Sequence, residues 1–178
     1  MQCDNSERLG YPARMRPCPF HLRPLTPADE PAYRALFGRL TPEEIRWRFG
    51  HTLTALPDAQ VRAWCNPDGA AHHAWAAVSP EGLHGVARAF VDPSGTSAEF
   101  AILVEHAHQG TGVGRSLAEA LLARLDAAGV KETVVSVAVD NVRMLRFARR
   151  HGFVPAATSD PFDRRLVRPH PGIAAQAA

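Results

Sequence analysis

A chain of 178 residues has the length of one ordinary domain, and 46% apolar against 21% charged residues exclude an intrinsically disordered chain. Lys+Arg 20 against Asp+Glu 18 leave a formal charge of +2, too balanced for a nucleic-acid binder. The three cysteines (Cys3, Cys18, Cys65) lack CxxC spacing and no stretch reaches the ~18 apolar residues of a membrane span, so a disulfide framework, a metal site and a membrane association are not expected, and the expected compartment is the cytoplasm.

In chain order, residues 1–19 read as a tail, with Pro12, Pro17 and Pro19 among arginines and polar residues. A single domain is expected over 20–168, and a second tail over 169–178. Residues 20–25 suit a strand. Thr26-Pro27-Ala28-Asp29 then starts a helix carrying Tyr33, Leu36, Phe37 and Leu40 at helical spacing. Thr41 and Glu44 have capping-box spacing ahead of Ile45, Trp47 and Phe49, the last two expected in the core. A third short helix begins at Pro57-Asp58, with Val61, Trp64 and Cys65 on its apolar side.

Residues 72–79, 85–91 and 98–105 form an expected antiparallel meander, separated by the turn tetrads Ser79-Pro80-Glu81-Gly82 and Asp92-Pro93-Ser94-Gly95. Val113, Leu117, Leu121 and Leu125 recur every fourth residue in a helix over 112–128, which Gly129 ends. Residues 133–139 suit a strand buried on both faces. A last helix over 141–150 stops at Gly152, and the chain returns to strand from Phe153. A helical crossover makes strands 98–105 and 133–139 parallel.

The segment richest in chemistry is Gln109-Gly110-Thr111-Gly112-Val113-Gly114-Arg115, between an apolar strand and an amphipathic helix. Helix-start N–H groups lack intrahelical partners and the helix dipole adds partial positive charge there. Glycines at 110, 112 and 114 let an anion approach the main chain, and a pyrophosphate is the expected ligand. A tight turn alone would need one glycine, not three. There is no Walker A lysine, and the glycine spacing is not the Rossmann GxGxxG.

The spacing that does fit is Q/R-x-x-G-x-G/A, filled by Gln109, Gly112 and Gly114. With Asn141, Met144, Phe147 and Gly152-Phe153 downstream, the chain resembles the GNAT superfamily of acyl-CoA-dependent N-acetyltransferases over about residues 20–160. The run from Leu40 through Thr41-Pro42-Glu43-Glu44 to Trp47-Arg48-Phe49, and Ala98-Glu99-Phe100-Ala101, are similar to the catalytic domain of bacterial Pat-type protein lysine acetyltransferases. The resemblance implies a mixed α/β fold: a mostly antiparallel sheet of six or seven strands, one splayed parallel pair, and helices on both faces. It implies acetyl-CoA as cosubstrate, its pantetheine amides pairing with the main chain of Ile102, Leu103 and Val104. The pyrophosphate would lie on Gln109, Gly110, Thr111, Gly112, Val113, Gly114 and Arg115, with Asn141 beside the pantetheine arm. No metal is implied.

Glu99 matches the glutamate assigned as general base in Pat-type domains. It is the only acid inside strand 98–104, where burial would strengthen it as a base. Only about one free lysine in a thousand is neutral near pH 7.4, so a proton acceptor is needed. Ala148 stands where the superfamily often has a tyrosine acid, an absence shared by the Pat-type domains. The implied acceptor is a protein lysine; a small amine or a peptide N-terminus is the alternative, and a non-catalytic acyl-CoA-binding module is the alternative from another class.

Competing readings attach to several residues. Glu99 could form an ion pair with Arg88 across the turn. Asn141 could simply cap its helix. Arg115 could meet the 3′-phosphate of the cosubstrate or sit on a solvated face. Glu105 reads as a solvated loop acid, His106 and His108 as surface residues, His72-His73 as a strand edge, and Cys65 as a buried small apolar residue. Nothing in the sequence marks an oligomeric state.

Overall fold

The computed structural model describes residues 20–169, so both expected tails lie outside the described residues, apart from Pro169, which closes the last strand. The elements are β1 (His21–Pro24), a 3-10 turn (Pro27–Asp29), α1 (Glu30–Gly38), α2 (Pro42–Phe49), α3 (Asp58–Trp64), β2 (His72–Ser79) and β3 (Gly82–Val91). There follow β4 (Ser97–Val104), a 3-10 turn (His106–His108), α4 (Val113–Ala127), β5 (Glu132–Ala138), α5 (Val142–Arg150), β6 (Val154–Pro155) and β7 (Asp163–Pro169). One seven-stranded sheet runs in the order β1-β2-β3-β4-β5-β7-β6. Among the described residues only β4 and β5 are parallel neighbours; every other pair is antiparallel.

Local chemistry explains most boundaries. At α2, Thr41 Oγ1 accepts from the Glu44 N–H (3.2 Å) while the Glu44 carboxylate accepts from the Thr41 N–H (2.8 Å), a reciprocal capping box. The helix expected from Pro27 is instead a 3-10 turn followed by α1, because Asp29 bends back. Its carboxylate accepts from the Thr26 N–H (2.8 Å) and from the Arg23 guanidinium (2.6 and 2.7 Å). The Arg23 hydrogen bonds, ahead of those from Thr26, hold the Asp29 carboxyl down at about 2.

Two cores flank the sheet. On one face Val113, Leu117, Leu121 and Leu125 of α4 are fully buried against Ala98 and Phe100 of β4 and Val135 and Val137 of β5. On the other, Tyr33, Leu36, Ile45 and Val61 from α1–α3 pack on Val86 of β3 and Leu103 of β4. Strand alternation sends successive β4 side chains to opposite cores, so β4 lies between both. β5 corrects the expectation of a strand buried on both faces. Thr133, Val135 and Val137 are buried but Ser136 is exposed, because no β5 residue belongs to the α1–α3 core. No helix among the described residues is long and apolar enough to cross a membrane.

Candidate active site

β4 and β5 pair over three rungs only: Ser97–Glu132, Ala98–Thr133 and Glu99–Val134. Beyond Glu99, β4 stays with β3 as far as Val104–Gly85, and β5 stays with β7 as far as Ala138–Asp163. The facing edges therefore diverge into a wedge, and the open edge of β4 carries Ile102, Leu103 and Val104. An extended chain of amides can pair with such an edge as an added strand.

At the mouth of the wedge, Gly110 (φ 81°) and Gly112 (φ 101°) take left-handed conformations, and Gly112 is the N-cap of α4. Among the described residues, the main-chain N–H groups of 110–115 donate to no protein acceptor. Six unpaired donors thus lie in the turn that starts a helix, the composition of an anion cradle. Val113 is fully buried and offers the loop only its main chain, and Arg115 is exposed with no ion pair among the described residues. A Cβ on Gly114 would stand 3.6 Å from Phe147 and 3.7 Å from Val104, in ordinary contact.

Gln109 is placed differently from the expected cradle. Its Nε2 donates to Glu44 Oε1 (2.5 Å) and to the Val104 carbonyl (2.8 Å), and its Oε1 accepts from Arg143 (2.6 Å). The side chain ties the loop to α2 and α5, and Thr111 adds a bond to the His108 carbonyl (2.7 Å). Asn141 caps α5: its Oδ1 accepts from the Met144 N–H (3.0 Å), and its Nδ2, at the C-terminal end of β5, has no partner among the described residues. Beside it Asp140 accepts from Arg46 (2.6 Å) and from Trp47 Nε1 (3.1 Å), a second tie from α2 across the wedge. Trp47 is accordingly half-buried rather than core. Sequence reasoning missed Glu44, Asp140 and Arg46, since no spacing links α2 to positions 109 or 140.

Glu99 occupies the last rung, at the closed end of the wedge. It is exposed, contrary to the expected burial, because its side of β4 at that rung lies beyond the cover of α1–α3. An open cleft of about 470 Å³ surrounds it, lined by Phe90, Asp92, Ser97, Val134 and Ser136. The competing ion pair with Arg88 does not form among the described residues. Arg88, 2% exposed, instead donates to Tyr33 Oη and stacks 4.3 Å from the Trp64 ring, and its Nη1 has no partner among the described residues. Burial pushes this guanidinium down to about 10. Arg48, over the Phe49 ring at 5.1 Å, is lowered by burial too, opposed by the nearby Tyr33 and Glu99.

Three further expectations are corrected. Glu105 is 5% exposed, not solvated, and its carboxylate meets Arg39, His84 and His108. His108 is half-buried by those contacts, while His106 is exposed. His72 and His73 are both buried. His72 stacks on Phe90 with ring centroids 4.3 Å apart, and burial, then Arg88, lowers its pKa to about 4. Cys65 is fully buried and free, its thiol pushed up by burial to about 11. Ala148 is buried in the α4 core.

Known proteins share this fold. The GNAT domain of the Streptomyces lividans PAT superposes with a TM-score of 0.80 at 22% identity, covering 84% of this chain and 90% of that one. The yncA protein of Salmonella typhimurium, in a structure with its cofactor acetyl-CoA, gives 0.70 at 16% identity over 85% and 94% of the two chains. A Vibrio cholerae spermidine N-acetyltransferase in complex with CoA and spermine gives 0.69 at 18% identity over 85% and 95%. These likenesses concern the fold. The sequence profile of the acetyltransferase (GNAT) domain matches residues 20–154, most of the chain and the whole wedge with its loop. The chain therefore belongs to the GNAT family, acyl-CoA-dependent N-acetyltransferases.

Proposed function

We propose that this enzyme moves the acetyl group of acetyl-CoA directly onto a protein lysine side chain, with Glu99 as the general base. The observation that carries the reading is Glu99 standing in an open cleft at the closed end of the unpaired β4 edge. The residues present fit acetyl-CoA. The free N–H groups of 110–115 suit its pyrophosphate, the edge at Ile102, Leu103 and Val104 suits its pantetheine amides, and the uncommitted Nδ2 of Asn141 lies on the opposite wall. Bound acetyl-CoA supplies an activated thioester carbonyl.

Glu99 accepts the proton that the amine must lose, directly or through a water. An N–H of the unpaired edge near Leu103 stabilises negative charge developing on an oxygen beside it. Position 148 donates no proton, and a thiol leaving group of pKa about 8.5 does not require one. Asp92 and Glu99 together make the cleft attractive to a cationic side chain, and its openness suits one presented on a protein surface. The free, buried Cys65 thiol suits a reducing cytoplasm.

The test is CoA release with lysine-bearing proteins and peptides against spermidine, other small amines and peptide N-termini. Turnover confined to the small amines would replace the lysine reading by the alternative acceptor. Glu99→Gln is expected to lower turnover ~10²–10⁴-fold with acetyl-CoA affinity retained. Unchanged turnover in that variant would sink the assignment of the base, and acetyl-CoA binding with no turnover on any amine would favour a binding module.

A further inference from the structure

On the α1–α3 side of Glu99, two arginines share one aromatic wall with no acid between them. Across the β3–β4 ladder Glu99 stands opposite Phe90, and Ala101 opposite Arg88. Val86 and Leu103 belong to the α1–α3 core, so strand alternation puts Arg88, Glu99 and Ala101 on that same face. Glu99 is exposed and Ala101 half-buried, so the face is open along β4. The Arg88 guanidinium stands 4.3 Å from the Trp64 ring and 5.2 Å from the Tyr33 ring. That of Arg48, half-buried at the end of α2, stands 5.9 Å from the same Trp64 ring.

Charge is unbalanced there. Arg48 makes no hydrogen bond or ion pair among the described residues, and Nη1 of the buried Arg88 has no partner among them either. Tyr33 gives the other nitrogen of Arg88 a phenol oxygen rather than a carboxylate. Near pH 7 burial keeps the Cys65 thiol protonated, at about 11, and His72 neutral, at about 4. Glu99 acts on Arg48 without pairing with it, and the Arg48 charge adds to burial in lowering Arg88.

Buried cations are ordinarily paired, and unpaired ones destabilise the fold. Packing on Trp64 would be served as well by an uncharged chain of similar volume. What the arginines offer beyond volume is donors: the free Nη1 of Arg88 and the planar fork of Arg48. A carboxylate fits them, because its two oxygens accept several N–H bonds and charge-assisted bonds are strong where water is scarce. The phosphates of the cosubstrate belong at the glycine loop, at the other end of the open edge, so this anion comes from the acceptor. With Asp92 and Glu99 in the cleft beside it, the surface has an acidic end for an amine and a basic end for an acid.

We infer that Arg48 and Arg88 hold a carboxylate of the acceptor, so that the enzyme selects lysines with an Asp or Glu one or two positions away. Residues of an extended segment are spaced about 3.3 Å apart, which keeps such an acid beside the cleft while the lysine side chain enters it. The inference rests on the protein-lysine reading for the molecule that bears the acid, whereas the unpaired guanidiniums do not depend on it.

The experiment measures kcat/KM for CoA release with peptides carrying Asp, Gln or Arg at each of the two positions on either side of a single lysine. Nα-acetyl-lysine and the same molecule without its carboxylate serve as small acceptors, and acetyl-CoA affinity checks folding. Wild type is expected to favour an Asp peptide over its Gln counterpart about 10–100-fold. Arg48→Glu should invert the order in favour of an Arg peptide, and Arg88→Met should shrink the preference about tenfold. A wild type without an acid preference, or a preference that both variants leave unchanged, overturns the inference. Turnover of the small acceptors alone, favouring the one with a carboxylate until Arg48→Glu reverses it, keeps the subsite and removes the protein-lysine reading. Equal turnover of those two, with none on peptides, removes both. Should no acceptor turn over, calorimetry of the Asp and Gln peptides on the CoA-loaded protein reads the same preference, and equal binding overturns the inference.

Discussion

The loop at 109–115 and the surface around Glu99 lie at the two ends of one unpaired strand edge, yet they are made of different material. The loop works through main-chain N–H groups and two left-handed glycines contributed by a single short segment. The surface around Glu99 is lined by side chains from three strands: Phe90 of β3, Ser97 of β4, and Val134 and Ser136 of β5. A main-chain site tolerates many side-chain changes and is disturbed by backbone strain. A side-chain site has the opposite sensitivities, so the two ends can be damaged separately.

That separation can be tested from the largest effect to the smallest. Glu99→Gln should strike turnover alone, as set out above, and a parallel loss of acetyl-CoA affinity would mean that the two ends are not independent. Arg88→Ala leaves a cavity beside Trp64 and should cost about 2–4 kcal/mol in urea unfolding. Arg88→Met, which refills that space without charge, should recover most of it, since a buried cation lacking a carboxylate partner adds little stability. A Met variant as unstable as the Ala variant would show that the Tyr33 and Trp64 contacts outweigh the volume.

Gly112→Ala forces a Cβ into φ 101° although nothing lies within 4 Å of it. It should cost about 1–2 kcal/mol of conformational strain and weaken acetyl-CoA about tenfold in calorimetry, with no direct effect at Glu99. Unchanged affinity would mean that the loop's conformation is not what the ligand reads. The fourth prediction concerns pH. His72 is held neutral, its folded value of about 4 lying below the ordinary ~6.5. Between these values the unfolded chain binds more protons, so stability is unaffected above pH ~6.5 and falls as pH drops toward about 4. His72→Phe, which keeps a ring against Phe90, should flatten that part of a melting-temperature profile; an unchanged slope would place the acid sensitivity elsewhere.

What could be read from the sequence was what short range decides. The capping box at Thr41 and Glu44, the four-residue rhythm of α4, the glycine loop and the Asn141 cap all depend on residues a few positions apart. Glu99 could be placed on its strand but not given its exposure, because that depends on where α1–α3 stop covering the sheet. Glu105 was misread for a similar reason. Its partners Arg39 and His84 lie 66 and 21 positions away; the β3–β4 pairing brings up His84, and the packing of α1 on the sheet brings up Arg39. Gln109 shows both at once: its position follows from the motif, whereas its bonds to Glu44 and Arg143 do not.

The three rungs between β4 and β5 have a further consequence. A seam so short is finished by whatever lies along it, and in this reading that is a metabolite. Binding would then complete a sheet that folding leaves open, and saturating acetyl-CoA should raise the melting temperature by mass action.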